Sequence, residues 1–127
     1  MRAVLLATAL AVASAGCAPF PTTVDVTLKH SRFTPAQIDV PMGVPVKFVI
    51  RNLDPIDHEW IIGAPDVHAR HRTGTEPVHD EKPTEVSVPA LETRTTTVTF
   101  DRPGVLAVIC HLPRHESYGM VGSLRVR

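Results

Sequence analysis

The chain has 127 residues, with 13 basic and 13 acidic side chains, so its formal charge at pH 7 is zero when histidine is neutral. This length suits one domain and excludes a large multidomain enzyme. The balanced charge excludes a typical nucleic-acid binder, which presents a face of clustered lysine and arginine. The many valines and threonines, together with 12 prolines, favour short strands over helices.

Residues 1–16 predict an export signal. Arg2 precedes an apolar run over residues 4–13, which is too short to span a bilayer but is typical of a signal peptide. Two interpretations stay open: ordinary secretory cleavage after Ala15, or a lipoprotein signal in which Cys17 is acylated. We favour the lipoprotein, and in both cases expect a protein exported to the periplasm or the extracellular face of the membrane. Residues 17–23 are then a short tether, and residues 24–127 form the folded domain.

Short apolar or alternating segments follow one another along the rest of the chain. In chain order, the predicted strands lie at residues 24–28, 38–40, 46–52, 58–62, 84–88, 93–100, 105–110 and 122–127. Seven to eight strands separated by proline and glycine turns indicate an all-β sandwich or a small barrel. Residues 64–81 are polar, contain histidines and show no clear periodicity. We predict that they form one long connection, a feature that is often functional.

The residues best suited to metal chemistry follow the most apolar predicted strand. Cys110 ends that strand, and His115 and Met120 complete a Cys-x4-His-x4-Met motif. A site of two imidazoles, one thiolate and a weak axial thioether suits copper in electron transfer. His58 can supply the second imidazole, because it lies just after a proline turn at the start of another apolar strand.

Each of these residues has a simpler structural explanation when it is considered alone. A lone cysteine is usually a small core residue, a methionine a gap filler, and a histidine a surface residue. A lone thiol in an oxidising compartment is nevertheless unusual, and a bound metal would protect it. The joint spacing has few competing explanations in so short a chain, so we predict one copper ion.

The same residues carry a resemblance to a known family. Over residues 24–126 the chain resembles the cupredoxins, or blue copper proteins, and its ligand loop is similar to the rusticyanin and auracyanin type. The matching segments are residues 33–35, 40–43, 52–54, 58–60, 100, 103–104 and 110–122. The resemblance implies a Greek-key β-sandwich with a mononuclear type 1 copper site. It also implies three equatorial ligands and one axial ligand, in this chain His58, Cys110 and His115, and Met120.

In the cupredoxins, electrons enter and leave at the exposed edge of the second histidine, here His115. The resemblance implies that apolar residues surround that edge and that redox partner proteins dock there. In this chain those residues would be Leu112, Pro113 and the turn at residues 41–44, with Tyr118 nearby. We expect a monomer.

Two positions depart from the family pattern. Glu59 stands where the family often has asparagine or serine, whose side chain bonds across to the cysteine loop, so that bond is in doubt. His111 stands where threonine or serine is common, and strand alternation predicts that it points away from the metal. A histidine beside the cysteine serves a second copper centre in multicopper oxidases. Those enzymes need further His-x-His ligand sets and additional domains, so we predict that this protein is not an enzyme.

The remaining histidines are less informative. His68, His71 and His79 share the polar segment at residues 64–81. They are compatible with a second metal site, a copper-acquisition arm or a docking surface, but a solvated loop is the favoured interpretation. His30 is predicted to be structural or at the surface.

Two functional hypotheses from different classes follow. The first is an exported one-electron carrier, in which the protein tunes and shields the copper and transfers electrons through His115. The alternative is a copper-binding protein for delivery, storage or resistance. The thiolate with an axial methionine favours the carrier, whereas the histidines at residues 64–81 mildly favour the alternative.

Overall fold

The computed structural model describes residues 22–74 and 82–127, so the predicted signal peptide, Cys17 and His79 lie outside the described residues. The described part contains nine strands and one helix. Their bounds are β1 Thr23–Leu28, β2 Phe33–Thr34, β3 Gln37–Val40, β4 Pro45–Asn52, β5 His58–Gly63, α1 Pro65–Thr73, β6 Glu85–Val88, β7 Thr93–Thr99, β8 Gly104–Ile109 and β9 Val121–Val126. Within this part, no helix is both long enough and apolar enough to cross a membrane.

The strands form two sheets. One sheet has the order β2-β1-β4-β7 and the other the order β3-β9-β8-β5-β6. The pairs β1–β4 and β3–β9 are parallel, while the other pairs are antiparallel. The predicted all-β sandwich is therefore confirmed.

Alternating residues of the two sheets meet in one hydrophobic core. On β4, every second residue is buried, and Phe48 is fully enclosed. It packs against Trp60 of β5, with the ring centroids 4.7 Å apart, and edge-on against Phe100. Each buried side chain of this size stabilises the fold by about 1.5–3 kcal/mol. This core supports the end of the sandwich at which β5 begins and β8 ends.

All eight predicted strands are present, and β2 is an additional one. With two residues, β2 is too short to show an alternation in the sequence. The predicted long connection at residues 64–81 is wrong over Pro65–Thr73, which form α1. Proline occupies the first turn of this helix, and Gly74 ends it in the left-handed conformation at φ 70°.

The helix covers the outer face of β5. All six residues of β5 are buried, including Ile61, whose side chain lies on the face away from the core cluster. A Cβ added to Gly63 would lie 2.6 Å from the Cβ of Val67, so the helix backbone approaches the strand closely. Glycine at position 63 therefore permits this contact.

The turn at residues 41–44 does not lie where the resemblance implied. In the parallel pair β3–β9, Val40 lies opposite Val126, while the copper-loop end of β9 is Val121. Gly43 N–H donates to the carbonyl of Phe100, at the end of β7. The turn is thus at the opposite end of the sandwich from Met120, and its predicted place beside His115 is wrong.

Candidate metal centre

Three of the predicted ligand side chains converge at one end of the sandwich. Ligand atoms of His58, Cys110 and His115 all lie within 4.8 Å of one another. His58 and Cys110 are buried, and His115 is partly exposed. His58 comes from the start of β5, and the other two come from the loop between β8 and β9. The antiparallel pairing of β5 with β8 brings the two segments together.

The ring of His58 is held from behind by a carboxylate. Its Nε2 lies 2.8 Å from Oδ2 of Asp54, and its Nδ1 lies 3.2 Å from Nδ1 of His115. Since a carboxylate accepts, Nε2–H donates to Asp54 and the lone pair of Nδ1 faces the site. This carboxylate–histidine pair is the arrangement that commonly orients metal-binding imidazoles.

Asp54 is itself fixed by the backbone. Its carboxylate accepts from the N–H groups of His30 and Ser31 at 2.7 and 2.9 Å. Burial pushes the pKa of Asp54 upward, but these two N–H groups and His58 outweigh it and hold the pKa below its usual value. Asp54 therefore presents a charged acceptor to His58. No role for Asp54 was predicted from the sequence, because its contact with His58 depends on the conformation of the turn before β5.

The thiol of Cys110 is enclosed and hydrogen-bonded. The N–H of Glu59 donates to Sγ at 3.3 Å, and Nδ1 of His115 lies 3.3 Å from the same sulfur. Burial raises the pKa of this thiol to about 11, although the N–H groups of Glu59 and Leu112 act in the opposite direction. The metal-free cysteine is therefore protonated at neutral pH, and a metal that binds it must displace the proton.

Met120 is fully buried in the core beside these residues. Its N–H donates to the carbonyl of His115 at 3.0 Å, and its own carbonyl accepts from Cys110 N–H at 3.3 Å. The loop is thus closed on itself by backbone hydrogen bonds. The arrangement of His58, Cys110, His115 and Met120 is suited to binding one copper ion, because it offers thiolate, imidazole and thioether donors together.

Glu59 connects β5 to the cysteine loop through both its side-chain carboxylate and its backbone N–H. Its Oε2 accepts from the backbone N–H of His111 at 3.2 Å, while its own N–H bonds Sγ of Cys110. A carboxylate therefore makes the cross-link whose presence was in doubt when this residue was compared with the family's asparagine or serine. His111 points away from Cys110 toward α1, where it meets His68 and His71, in agreement with the prediction from strand alternation.

The family model of the cupredoxin-like domain matches residues 2–121. The chain belongs to the cupredoxin-like family. The copper-resistant cuproprotein CopI of Rubrivivax gelatinosus is similar to this cupredoxin, with 32% identity over 109 residues. That alignment covers 83% of this chain and 66% of CopI, slightly under two thirds of the relative's length.

Solved structures of similar fold include the auracyanins. Auracyanin B is 24% identical, with a TM-score of 0.68, over 87% of this cupredoxin and 93% of that chain. A dithionite-reduced auracyanin from Roseiflexus castenholzii is 21% identical, with a TM-score of 0.72, over 86% of this chain and 99% of its own. These likenesses agree with the β-sandwich described above.

Two histidines of the polar segment are buried rather than solvated. In this cupredoxin His68 is 2% exposed and His71 is 9% exposed, and both lie on the inward face of α1. For these two residues the solvated-loop interpretation is wrong, because the helix turns them toward the sheet. His30 is exposed, and it is its backbone N–H that bonds Asp54.

Proposed function

We propose that this protein is an exported mononuclear type 1 copper protein that carries one electron at a time between redox partners. The observation that carries the proposal is the convergence of two Nδ1 atoms and one thiol in a largely buried site. A preassembled site of mixed soft and imidazole donors lets copper change oxidation state with little movement of its ligands. The proposal includes no catalytic step.

Different residues of the chain would orient the ligands, stabilise the thiolate and restrain the ligand loop of such a carrier. Asp54 holds the His58 ring, and the N–H of Glu59 stabilises negative charge on the sulfur of Cys110. Backbone hydrogen bonds restrain the loop that carries His115. Copper would supply the electron exchange, with His58, Cys110, His115 and Met120 as its ligands. His115 is the partly exposed histidine of the set, so it is the proposed route for electrons.

Exposed apolar side chains support partner docking at this end. Leu53, Ile56 and Leu91 lie on the loops beside the start of β5, with exposures of 52%, 47% and 70%. The N–H of Leu91 bonds the carbonyl of Asp54, which joins these loops. Tyr118, on the copper loop, is 52% exposed. Such a surface suits brief contact with a redox protein. The complete ligand set lies within one chain, which is compatible with a monomer.

Export and a lipid anchor at Cys17 belong to the same proposal. They are supported by the signal-like composition of residues 1–16 and by the fit of a metal-protected thiol to an oxidising compartment. Mass spectrometry of the protein from its own membrane tests the anchor. A diacylated Cys17 at the new N-terminus is expected, whereas an unmodified N-terminus before Cys17 would contradict it.

The experiment that tests the carrier is copper loading of the purified protein. We expect an intense visible absorption and an electron paramagnetic resonance (EPR) spectrum with narrow copper hyperfine splitting, both reversible on reduction. Cys110→Ser should abolish the colour, because the thiolate supplies the charge-transfer electron, while Cys17→Ser is the matched control and should stay coloured. A Cys110→Ser protein that keeps the absorption would overturn the site assignment.

Copper handling is the second candidate function. It is favoured by the 32% identity to a relative named as a copper-resistance protein and by the buried histidines of α1. A handling protein should give its copper quickly to an acceptor, whereas a carrier should keep it through many redox cycles. Incubation of the loaded protein with an excess of a copper chelator separates the two: retention over repeated oxidation and reduction supports the carrier, and rapid loss supports handling.

A further inference from the structure

A second group of imidazoles lies on the other side of the Cys110 strand end. His68 and His71 on α1 meet His111, which directly follows Cys110. Nδ1 of His68 lies 2.9 Å from Nε2 of His111. The side chain of His111 is 5% exposed, so both rings of this pair are enclosed.

The surroundings determine which nitrogen of His68 carries the proton. Its Nε2 lies 3.1 Å from the carbonyl oxygen of Gly63 and 3.3 Å from that of Ala107. Carbonyl oxygens only accept, so Nε2–H donates to them and Nδ1 keeps its lone pair. In the metal-free protein that lone pair accepts a hydrogen bond from Nε2–H of His111, so an ion held by both nitrogens would replace this proton.

The separation of the two nitrogens suits a shared metal ion. A first-row ion binds imidazole nitrogen at about 2.0–2.1 Å, which places two adjacent nitrogens roughly 2.8–3.3 Å apart. The 2.9 Å spacing of this pair falls in that range, as does the 3.2 Å spacing of the two Nδ1 atoms of His58 and His115. We propose that His68 and His111 form a second binding site, for copper(II).

Neighbouring side chains support the pair and leave one side open. The ring of His71 stacks on His111 with centroids 5.1 Å apart, while its own Nδ1 donates to the carbonyl of Val67. Nδ1 of His111 lies 3.8 Å from a carboxylate oxygen of Glu116, whose charge is balanced by Arg72. His71 and His111 also line a surface cleft of about 360 Å³, which reaches the pair from the His111 side; His68 does not line it. The donor set is therefore two imidazoles plus water.

Imidazole suits copper, zinc and nickel, and among divalent ions copper binds such donors most tightly. With no thiolate, this second ion would lack the strong visible absorption of the Cys110 site. The two sites would be joined through the peptide bond between Cys110 and His111. The inference does not depend on the proposed electron transfer, since it concerns separate donor atoms.

The test is equilibrium dialysis of the full chain against copper(II), with copper counted per chain and EPR recorded. We expect two coppers in the wild type, one with narrow hyperfine splitting and one with the wide splitting of an imidazole site. His68→Gln and His111→Gln should each bind one copper and stay coloured. Lys47→Gln, an exposed control on β4 in the other sheet, should bind two. Cys110→Ser should lose the narrow signal and the colour, and adding His68→Gln to it should lower its copper content by one per chain.

Each result supports or overturns the inference. One copper per wild-type chain would overturn it, as would a wide signal that persists in both His68→Gln and His111→Gln. A colourless wild type whose wide signal disappears in both His68→Gln and His111→Gln would instead overturn the carrier and leave the second site standing. Thermal unfolding of each metal-free variant shows that the fold is retained; if His68→Gln fails to fold, His111→Gln gives the same readout.

Discussion

At the level of single residues, Asp54 determines which ring nitrogen of His58 is directed into the metal site. The carboxylate is 2.8 Å from Nε2 and is locked by two backbone N–H groups, so the ring cannot easily rotate. Partners of this kind raise the basicity of the ligand and hold its tautomer. The same carboxylate also ties the turn between β1 and β2 to the turn between β4 and β5.

Asp54→Asn should therefore weaken copper binding. The substitution removes the charge behind His58, and loss of such an outer partner typically costs about 10–100-fold in metal affinity. Competition with a chelator of known affinity measures the effect. Asp101→Asn, at an exposed turn, is the control and should bind copper as the wild type does. Equal affinity in Asp54→Asn would show that Asp54 serves the fold alone.

Met120→Leu should raise the reduction potential and leave the protein coloured. The thioether is a weak electron donor that favours the oxidised ion, and leucine replaces it with an apolar group of similar volume in a fully buried position. Voltammetry of the loaded protein measures the potential. Met42→Leu is the control, because Met42 is exposed at the opposite end of the sandwich. A lower or unchanged potential in Met120→Leu would contradict an axial role.

At the level of elements, the position of α1 on β5 depends on Gly63. An added Cβ would lie 2.6 Å from the Cβ of Val67, an atom that no rotamer change can move. Gly63→Ala should therefore push the helix outward and destabilise the protein by about 1–3 kcal/mol. Because His58 lies at the other end of β5, the colour of the copper-loaded protein should persist.

Thermal unfolding of the Gly63→Ala protein checks this expectation. Ser123→Ala, in the same sheet, adds no atom and is expected to keep the wild-type unfolding temperature. An unchanged unfolding temperature in Gly63→Ala would show that the helix is not held against the strand in solution.

Strands such as β4 could be predicted because apolar and polar residues alternate along them in the sequence. The metal site could be predicted from the Cys-x4-His-x4-Met spacing. Helix α1 was missed because its buried residues are His68 and His71. With no apolar residues at these inward positions, the sequence lacks the apolar helical periodicity that would have predicted it. Pro65 and Gly74 were available as helix boundary signals. The turn at residues 41–44 was misplaced because its position depends on the parallel pairing of β3 with β9, which leaves no local pattern.

At the level of the whole molecule, buried histidines make stability depend on pH. Burial lowers the pKa of His111 to about 4, with the nearby His68, His71 and Arg72 acting in the same direction and Glu116 against it. Burial also lowers the pKa of His68, although two carbonyl oxygens oppose the shift. His111 therefore stays neutral in the folded, metal-free protein well below pH 6.5, and the pKa of His68 is shifted in the same direction.

The unfolded chain binds protons at these two histidines near pH 6.5, whereas the folded chain does so only at lower pH. The contribution of these two histidines to the free energy of unfolding is therefore fully present above pH 6.5 and is lost as the pH decreases toward 4. For His111, a pKa of about 4 instead of 6.5 corresponds to a loss on the order of 3 kcal/mol across this window. Urea unfolding of the metal-free protein at several pH values measures the slope. His111→Gln should flatten it, because glutamine does not titrate. A wild-type slope in His111→Gln would mean that the loss of stability arises from other groups.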